Sequence, residues 1–296
     1  MRPSCIPSRS RFSRLTWFTA RGFGTGLLVA AASVAHAQDS DAQGPGLPLW
    51  EVGALAGALS APAYPASNQQ SQRALVLPYF IYRGEVLRAD RTGLGARLTH
   101  TDNVELDVGF SGALPASSND VALRRGMPDL GTLIEFGPRI KLKLAEPAAG
   151  QRVTLEVPLR AALEINGGVR QVGMALEPKL AYERTVGSDW RIKAAVSLVV
   201  GDQQLNQYFY GVPAAYATAT RPAYEAQSGL ISSRLMLDGG KRITPDVSLF
   251  AFARYDMYNA SANRASPLYA QDTGTSLGLA LTWTLGRSST RTGDGP

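Results

Sequence analysis

From Leu49 onward apolar and polar residues alternate. In "IEFGPRIKLKLA" (134–145) Ile134, Phe136, Ile140, Leu142 and Leu144 are apolar, and Glu135, Arg139, Lys141 and Lys143 stand between them. Successive side chains of a strand point to opposite faces, so this stretch has one oily and one charged face. Val104, Leu106, Val108 and Phe110 lie opposite Glu105 and Asp107 in the same way. Val153, Leu155, Val157, Leu159, Ala161, Leu163 and Ile165 lie opposite Thr154, Glu156, Arg160 and Glu164. Trp190, Ile192, Ala194, Val196 and Leu198 oppose Arg191, Lys193 and Ser197, and Leu277, Leu279, Leu281, Trp283 and Leu285 oppose Gly278, Ala280, Thr282 and Thr284. Gly, Pro, Asn, Asp and Ser punctuate these runs.

The period-two pattern predicts strands over 49–59, 74–82, 85–89, 93–100, 103–111, 131–144, 152–165, 171–184, 190–200, 224–237, 247–258 and 273–285, about twelve in all. The longest connections, 60–73, 112–130, 201–223 and 259–272, all follow odd-numbered strands. Short turns at one rim and long loops at the other are the signature of an up-and-down barrel in an outer membrane. A secreted β-sandwich is the competing architecture. Three features favour the membrane: charges deep inside the strands, strands long enough for a tilted crossing, and aromatics near strand ends. Those aromatics are Trp50, Tyr79, Tyr82, Tyr182, Trp190, Tyr255, Tyr258 and Trp283. The expected fold is therefore all-β: an antiparallel up-and-down transmembrane β-barrel occupying 49–285. Its oily face meets outer-membrane lipid, and Glu135, Arg139, Lys141, Lys143, Glu156, Arg160, Glu164, Arg191 and Lys193 face the lumen.

The N-terminus reads as a secretory signal peptide, 1–37. Arg2, Arg9, Arg11, Arg14 and Arg21 precede an apolar stretch, and Ala35-His36-Ala37 fits cleavage between Ala37 and Gln38. A flexible polar leader, 38–48, follows. The chain holds 30 basic and 24 acidic residues. The five arginines leave with the signal, so the mature chain carries a net charge of only +1 and gives no support to a nucleic-acid partner. The single cysteine, Cys5, also lies in the signal, which excludes mature disulfides and thiolate metal sites. After Ala37 no apolar run is long enough for a membrane helix. The polar stretch 286–296 reads as a disordered tail.

Five phrases occur together and in order: "LPYFIYRGEVLRADRTGLGARL" (77–98), "RRGMPDLGTLIEFGP" (124–138), "LEVPLRAAL" (155–163), "YFYGVPAAYATATRPAYEAQSG" (208–229) and "ASPLYAQDTGTSLGLALTW" (265–283). On these the chain resembles the family of the MltA-interacting protein and outer-membrane protein V (MipA/OmpV), over about 49–285. The resemblance implies a barrel in the outer membrane of a Gram-negative bacterium. It further implies a scaffold in peptidoglycan growth that joins a lytic murein transglycosylase to a peptidoglycan synthase, a penicillin-binding protein. Such barrels commonly end on an aromatic residue, whereas this chain runs on past Trp283 and Leu285.

Chemistry is sparse. His100 is the one histidine after the signal, and a turn residue is favoured there over a Ser/His/acid site. A metal centre is excluded on the same count, and no phosphate-binding Gly loop or cofactor motif appears. Carboxylate pairs for glycoside chemistry can be picked from the lumenal list, but cross-strand ion pairs filling a narrow barrel account for it better. Arg124, Arg125 and Asp129 around Gly126-Met127-Pro128 shape a loop, and the Tyr-rich stretch 201–223 either covers the mouth or binds something outside. The expected function is a non-catalytic scaffold, touched by partners at the turns 144–151 and 238–246 or at the leader. The alternatives are a narrow channel for small solutes and, more weakly, a lipid-modifying enzyme using His100.

Overall fold

The computed structural model describes residues 46–83, 87–90, 93–101, 103–113, 115–187 and 189–292, and of 87–90, 93–100 and 110 the backbone path alone. The signal peptide with its cleavage site, and all of the leader before Gly46, lie outside the described residues. Among the described residues the strands are β1 (Trp50–Pro62), β2 (Gln70–Arg83), β3 (Leu87–Asp90), β4 (Gly93–His100), β5 (Val104–Ala113), β6 (Thr132–Ala145), β7 (Gln151–Ile165), β8 (Val169–Leu176), β9 (Lys179–Val186), β10 (Trp190–Gly201), β11 (Gly229–Arg242), β12 (Val247–Met257) and β13 (Thr273–Arg287).

Among the described residues every pairing is antiparallel, sequence neighbours other than β8 and β9 lie side by side, and β1 pairs with β13, so the sheet closes on itself. β8 and β9 both lie between β7 and β10, which makes them two halves of one crossing. The barrel thus has twelve crossings and no free end strand. Proline explains the break. Glu177 N–H donates to the Pro158 carbonyl at 3.2 Å and Leu198 N–H to the Pro178 carbonyl at 3.1 Å, but neither proline has an N–H to return. The β6–β7 ladder likewise skips Gly137 and Pro138. Gly137 is obligatory there, since a Cβ would lie 2.0 Å from the Leu159 carbonyl oxygen.

Exposure runs opposite to that of a water-soluble protein. On β13 Leu277, Leu279, Leu281, Trp283 and Leu285 are 41–63% exposed, while Ser276, Ala280, Thr282 and Thr284 are buried. On β7 and β10 the buried residues include Glu156, Arg160, Glu164 and Lys193, with Leu159, Ile192, Val196 and Leu198 outside. Large apolar side chains on the outside and charges within suit hydrocarbon as the outer solvent. Of the expected aromatic ring, Trp50, Tyr182, Trp190, Tyr255 and Trp283 do face outward. The Lys241 amine sits 5.0 Å from the Trp190 ring centroid. Tyr79 and Tyr258 face inward instead: the Tyr79 hydroxyl lies 2.6 Å from Thr284 Oγ1, and Tyr258 is buried beneath the loops.

Other boundaries differ from the sequence expectation: β2 starts at Gln70 rather than 74, and β11 runs on to Arg242, into the expected turn 238–246. β11 starts at Gly229 rather than 224, because Tyr224 is bridged to Val212 within the preceding loop. That loop holds a helix, α1 (Gln203–Tyr210), whose first turn is capped by the Asp202 carboxylate accepting from Leu205 N–H at 2.8 Å. The tail is ordered as far as 292: Ser288 N–H donates to Trp50 O, Leu49 N–H to Thr290 O and Thr292 N–H to Leu47 O. Residues 46–49 and 288–292 therefore form a ribbon at the short-turn rim.

Candidate functional site

The lumen has two unlike walls. Along β13, β1 and β2 it is built mostly from small or apolar residues, with Ser276, Thr282, Thr284 and the Glu51–Arg83 ion pair, at 3.0 Å, buried among them. Leu55, Phe250 and Ala280 are buried together there with Tyr79 against them. Aromatic rings cover glycines on the neighbouring strand. Gly53 stands opposite Tyr79 and Gly278 opposite Phe252, and a Cβ on either glycine would lie 2.7 Å and 2.1 Å from the respective ring.

From β5 to β12 the wall is charged, and register brings opposite signs together. Asp107 faces Arg139, and Glu105 faces Lys141. Arg139 grips Asp107 with two bonds, at 2.9 and 2.6 Å, and the Lys141 amine reaches Asp107 at 2.9 Å and Glu105 at 3.1 Å. Glu156 holds Lys193 at 2.9 Å, Lys179 at 3.6 Å and Arg139 at 3.9 Å. Glu177, at the break in the eighth crossing, holds Arg160 at 2.6 Å, Arg234 at 3.1 Å and the Ser197 hydroxyl at 3.0 Å. Arg160 continues to Glu135 at 2.9 Å and Arg234 to Asp256 at 2.7 Å, and Asp256 also pairs with Arg254 at 2.8 Å. Arg191 lies 3.5 Å from Glu183, and Lys143 lies 3.5 Å from Glu146 near the rim. These carboxylates alternate with cations and do not pair with one another. The arrangement ties strands together, and it is unlike the close carboxylate dyads that share a proton.

Eight of the nine sequence-selected charges thus join a partner deep in the wall or near it. Glu164 is the ninth and belongs to the mouth. It accepts from Gly131 N–H at 2.9 Å and from the Tyr208 hydroxyl at 3.0 Å, and pairs with Arg170. Sequence reasoning missed Glu177, Arg234, Arg254 and Asp256. The last three stand at alternate positions of β11 and β12 and were legible by the same period. Glu177 was hidden by Pro178, which interrupts its strand. His100 stands opposite Glu105 in the β4–β5 ladder, and its side chain lies outside the described residues.

The long loops fold inward over the mouth. Tyr64, Ala116, Val121, Met127, Leu130, Val212 and Leu268 form one buried cluster, and Leu205, Tyr210, Ala226 and Tyr258 belong to a second beneath it. Polar groups lock the loops together. Asn263, fully buried, donates to Asn206 Oδ1 and Gln227 O and accepts from Tyr224 and from Gln227 N–H. Arg221 donates to the Tyr216, Leu123 and Arg125 carbonyls, so the Tyr-rich loop is fastened to the one carrying Gly126-Met127-Pro128. Burial pushes the Tyr64 and Tyr258 phenols up to about 12 and raises Tyr208 further, with Glu164 beside it. Burial also lowers Arg124, whose guanidinium lies over the Tyr64 ring.

Several solved structures are similar in outline. The "Bacterial polysaccharide outer membrane secretin" is 7% identical, with 81% of this chain and 99% of that one covered and a TM-score of 0.40. Outer membrane phospholipase A from Escherichia coli is 12% identical over 87% and 97%, with a TM-score of 0.35. An outer membrane channel from Pseudomonas putida F1 is 13% identical over 84% and 100%, with a TM-score of 0.36. No curated protein matches. The family model of the MltA-interacting protein MipA matches residues 52–285. The chain belongs to that family and is a β-barrel of the Gram-negative outer membrane.

Proposed function

We propose that this barrel is a non-catalytic scaffold that gathers murein-remodelling enzymes beneath the outer membrane. Family membership carries the reading. The lining among the described residues supports it: one wall is knitted by ion pairs, aromatic rings stand over glycines on the other, and buried loop clusters pack at the mouth. A barrel lined in this way offers its rims to partners. The short-turn rim presents the turn at 146–150, the turn after β11 and the ribbon of 46–49 with 288–292. Arg152, Glu146, Arg242, Asp189, Arg287 and Asp246 stand there as exposed charged groups suited to a polar protein contact.

The experiment is cross-linking in cells with a photoreactive residue at Ala148, followed by identification of the captured proteins. A lytic transglycosylase or a penicillin-binding protein in the adduct supports the scaffold. Adducts lacking both, in cells where both enzymes are present, count against it. A narrow channel for small solutes is the second reading, and conductance in planar bilayers separates the two.

A further inference from the structure

We propose that Arg184 and Lys241 hold the phosphate of one anionic glycerophospholipid against Trp190, on the outside of the barrel at the short-turn rim. The alternation puts all three on one face. β9 turns Leu180, Tyr182, Arg184 and Val186 outward, and β10 turns Trp190, Ile192, Ala194 and Val196 outward. β11 continues that face through Leu235, Leu237, Gly239 and Lys241. Register sets them side by side. Trp190 stands opposite Lys241 on one flank and Val186 on the other, and Arg184 stands opposite Ile192, one pleat nearer mid-membrane. Diagonal neighbours on one face are roughly 7–8 Å apart, within reach of a long side chain. The Lys241 amine already lies over the indole, 5.0 Å from the ring centroid.

Two observations point to an anion from outside the chain. Other cations toward this rim have carboxylates: Arg152 and Lys143 at Glu146, Arg242 at Asp189, Arg287 at Asp246 and Arg191 at Glu183. Among the described residues Arg184 and Lys241 have no carboxylate within 4.0 Å and no hydrogen-bond acceptor. The second observation is the surroundings. Tyr182, Val186, Ile192 and Leu237 are 38–53% exposed on the same face. This is lipid-facing surface, where a charge is tolerable only at the height of the headgroups. The short turns of an outer-membrane barrel face the periplasm, so the leaflet at this height is one of glycerophospholipids. A soluble acidic protein would have to displace lipid to reach the patch, whereas a glycerophosphate is part of that leaflet.

The chemistry of the pair suits a phosphodiester. The guanidinium is a planar fork for two phosphate oxygens, and the amine is a point charge for a third. Gly239 lies below Lys241, in register with Ile192 and Ala251, and a Cβ there would come no nearer than 3.6 Å to its closest neighbour, Arg191 O. Packing does not require glycine at that position, and its bare backbone leaves a dip for the lipid's glycerol and first methylenes.

The test is native mass spectrometry of the purified protein released from detergent, after addition of phosphatidylglycerol or, separately, phosphatidylcholine with the same acyl chains. The expected result is one phosphatidylglycerol retained under activation that strips phosphatidylcholine. Arg184→Gln or Lys241→Gln alone should lower that retention about fivefold, and the two together about tenfold or more. Arg73→Gln, which removes a charge opposite Leu59 near the other rim, should leave it unchanged. Equal retention of the two lipids by the unsubstituted protein overturns the proposal. So does a double variant that keeps phosphatidylglycerol as well as the parent does. An Arg73→Gln variant that loses as much as Arg184→Gln would assign the preference to net charge, and would overturn it too.

Discussion

Arg160 reaches Glu177 at 2.6 Å, at the point where Pro178 interrupts the eighth crossing of the barrel opposite Pro158 of β7. The strand loses backbone bonds at that point and gains a buried carboxylate that also engages Arg234. Side-chain charge thus ties β7, the β8–β9 break and β11 together where the ladder fails. Glu177→Ala leaves two buried guanidinium groups short of a partner and should cost about 3–5 kcal/mol. The gel shift on heating reports this: the folded form should convert to the unfolded one at a clearly lower temperature. Glu177→Gln keeps one accepting oxygen in place of two and should recover only part of the loss.

The cap can be loosened without dissolving the barrel. Asn263→Ala removes two donated and two accepted hydrogen bonds and leaves the buried Asn206 Oδ1 without its donor, at about 1–3 kcal/mol for that group. Limited proteolysis should become faster within 203–228 and 258–272, while the heat-modifiable mobility of the barrel stays as it was. Equal resistance in variant and parent would mean that the loops are held by their apolar clusters alone.

The glycines of β1 and β13 make a size prediction. Gly278→Ala drives a methyl group into the Phe252 ring, so either the ring turns away or the strands part, at a cost of about 1–3 kcal/mol. Phe252→Leu in the same chain should restore most of the lost stability. A double variant no better than Gly278→Ala alone would show that the strain lies in the backbone and not in the ring.

Alkaline pH should open the cap before the barrel. Folding raises Tyr64, Tyr258 and Tyr269 from about 10 to about 12, with burial of the phenol as the largest cause in each. A group that binds its proton more tightly when folded contributes stability that is whole below the unfolded value and is lost as pH rises through the folded one. The window is therefore pH 10 to 12. Phenolate absorbance near 295 nm should develop late in the folded protein, and proteolysis within the cap should accelerate across the same interval.

The alternation was enough to read most of the barrel, because a wall one residue thick with different solvents on its two sides imposes period two on nearly every crossing. It placed β6 within one residue at each end, and Glu156, Arg160 and Lys193, which it singled out, are buried. It failed where another influence overrode the period. Pro178, opposite Pro158 of β7, splits one crossing and hid Glu177. Tyr224 looked like the start of a strand but belongs to the cap, and Tyr79 and Tyr258 looked like members of an outer aromatic ring but turn in. The cap itself was illegible, since Asn206 and Asn263, or Arg221 and the Leu123 carbonyl, meet only through loops far apart in sequence. The tail was misread because its polar residues bond through their backbone to 46–50.

The central claim is that a barrel filled by ion pairs and closed by its own loops holds partners and does not pass solutes. Conductance of the purified protein in planar lipid bilayers tests it most directly. The account predicts no stepwise current from the native protein, and steps from a chain whose cap is weakened by Asn263→Ala together with Arg221→Ala. Stable, uniform steps from the native protein would contradict it and make the barrel a channel.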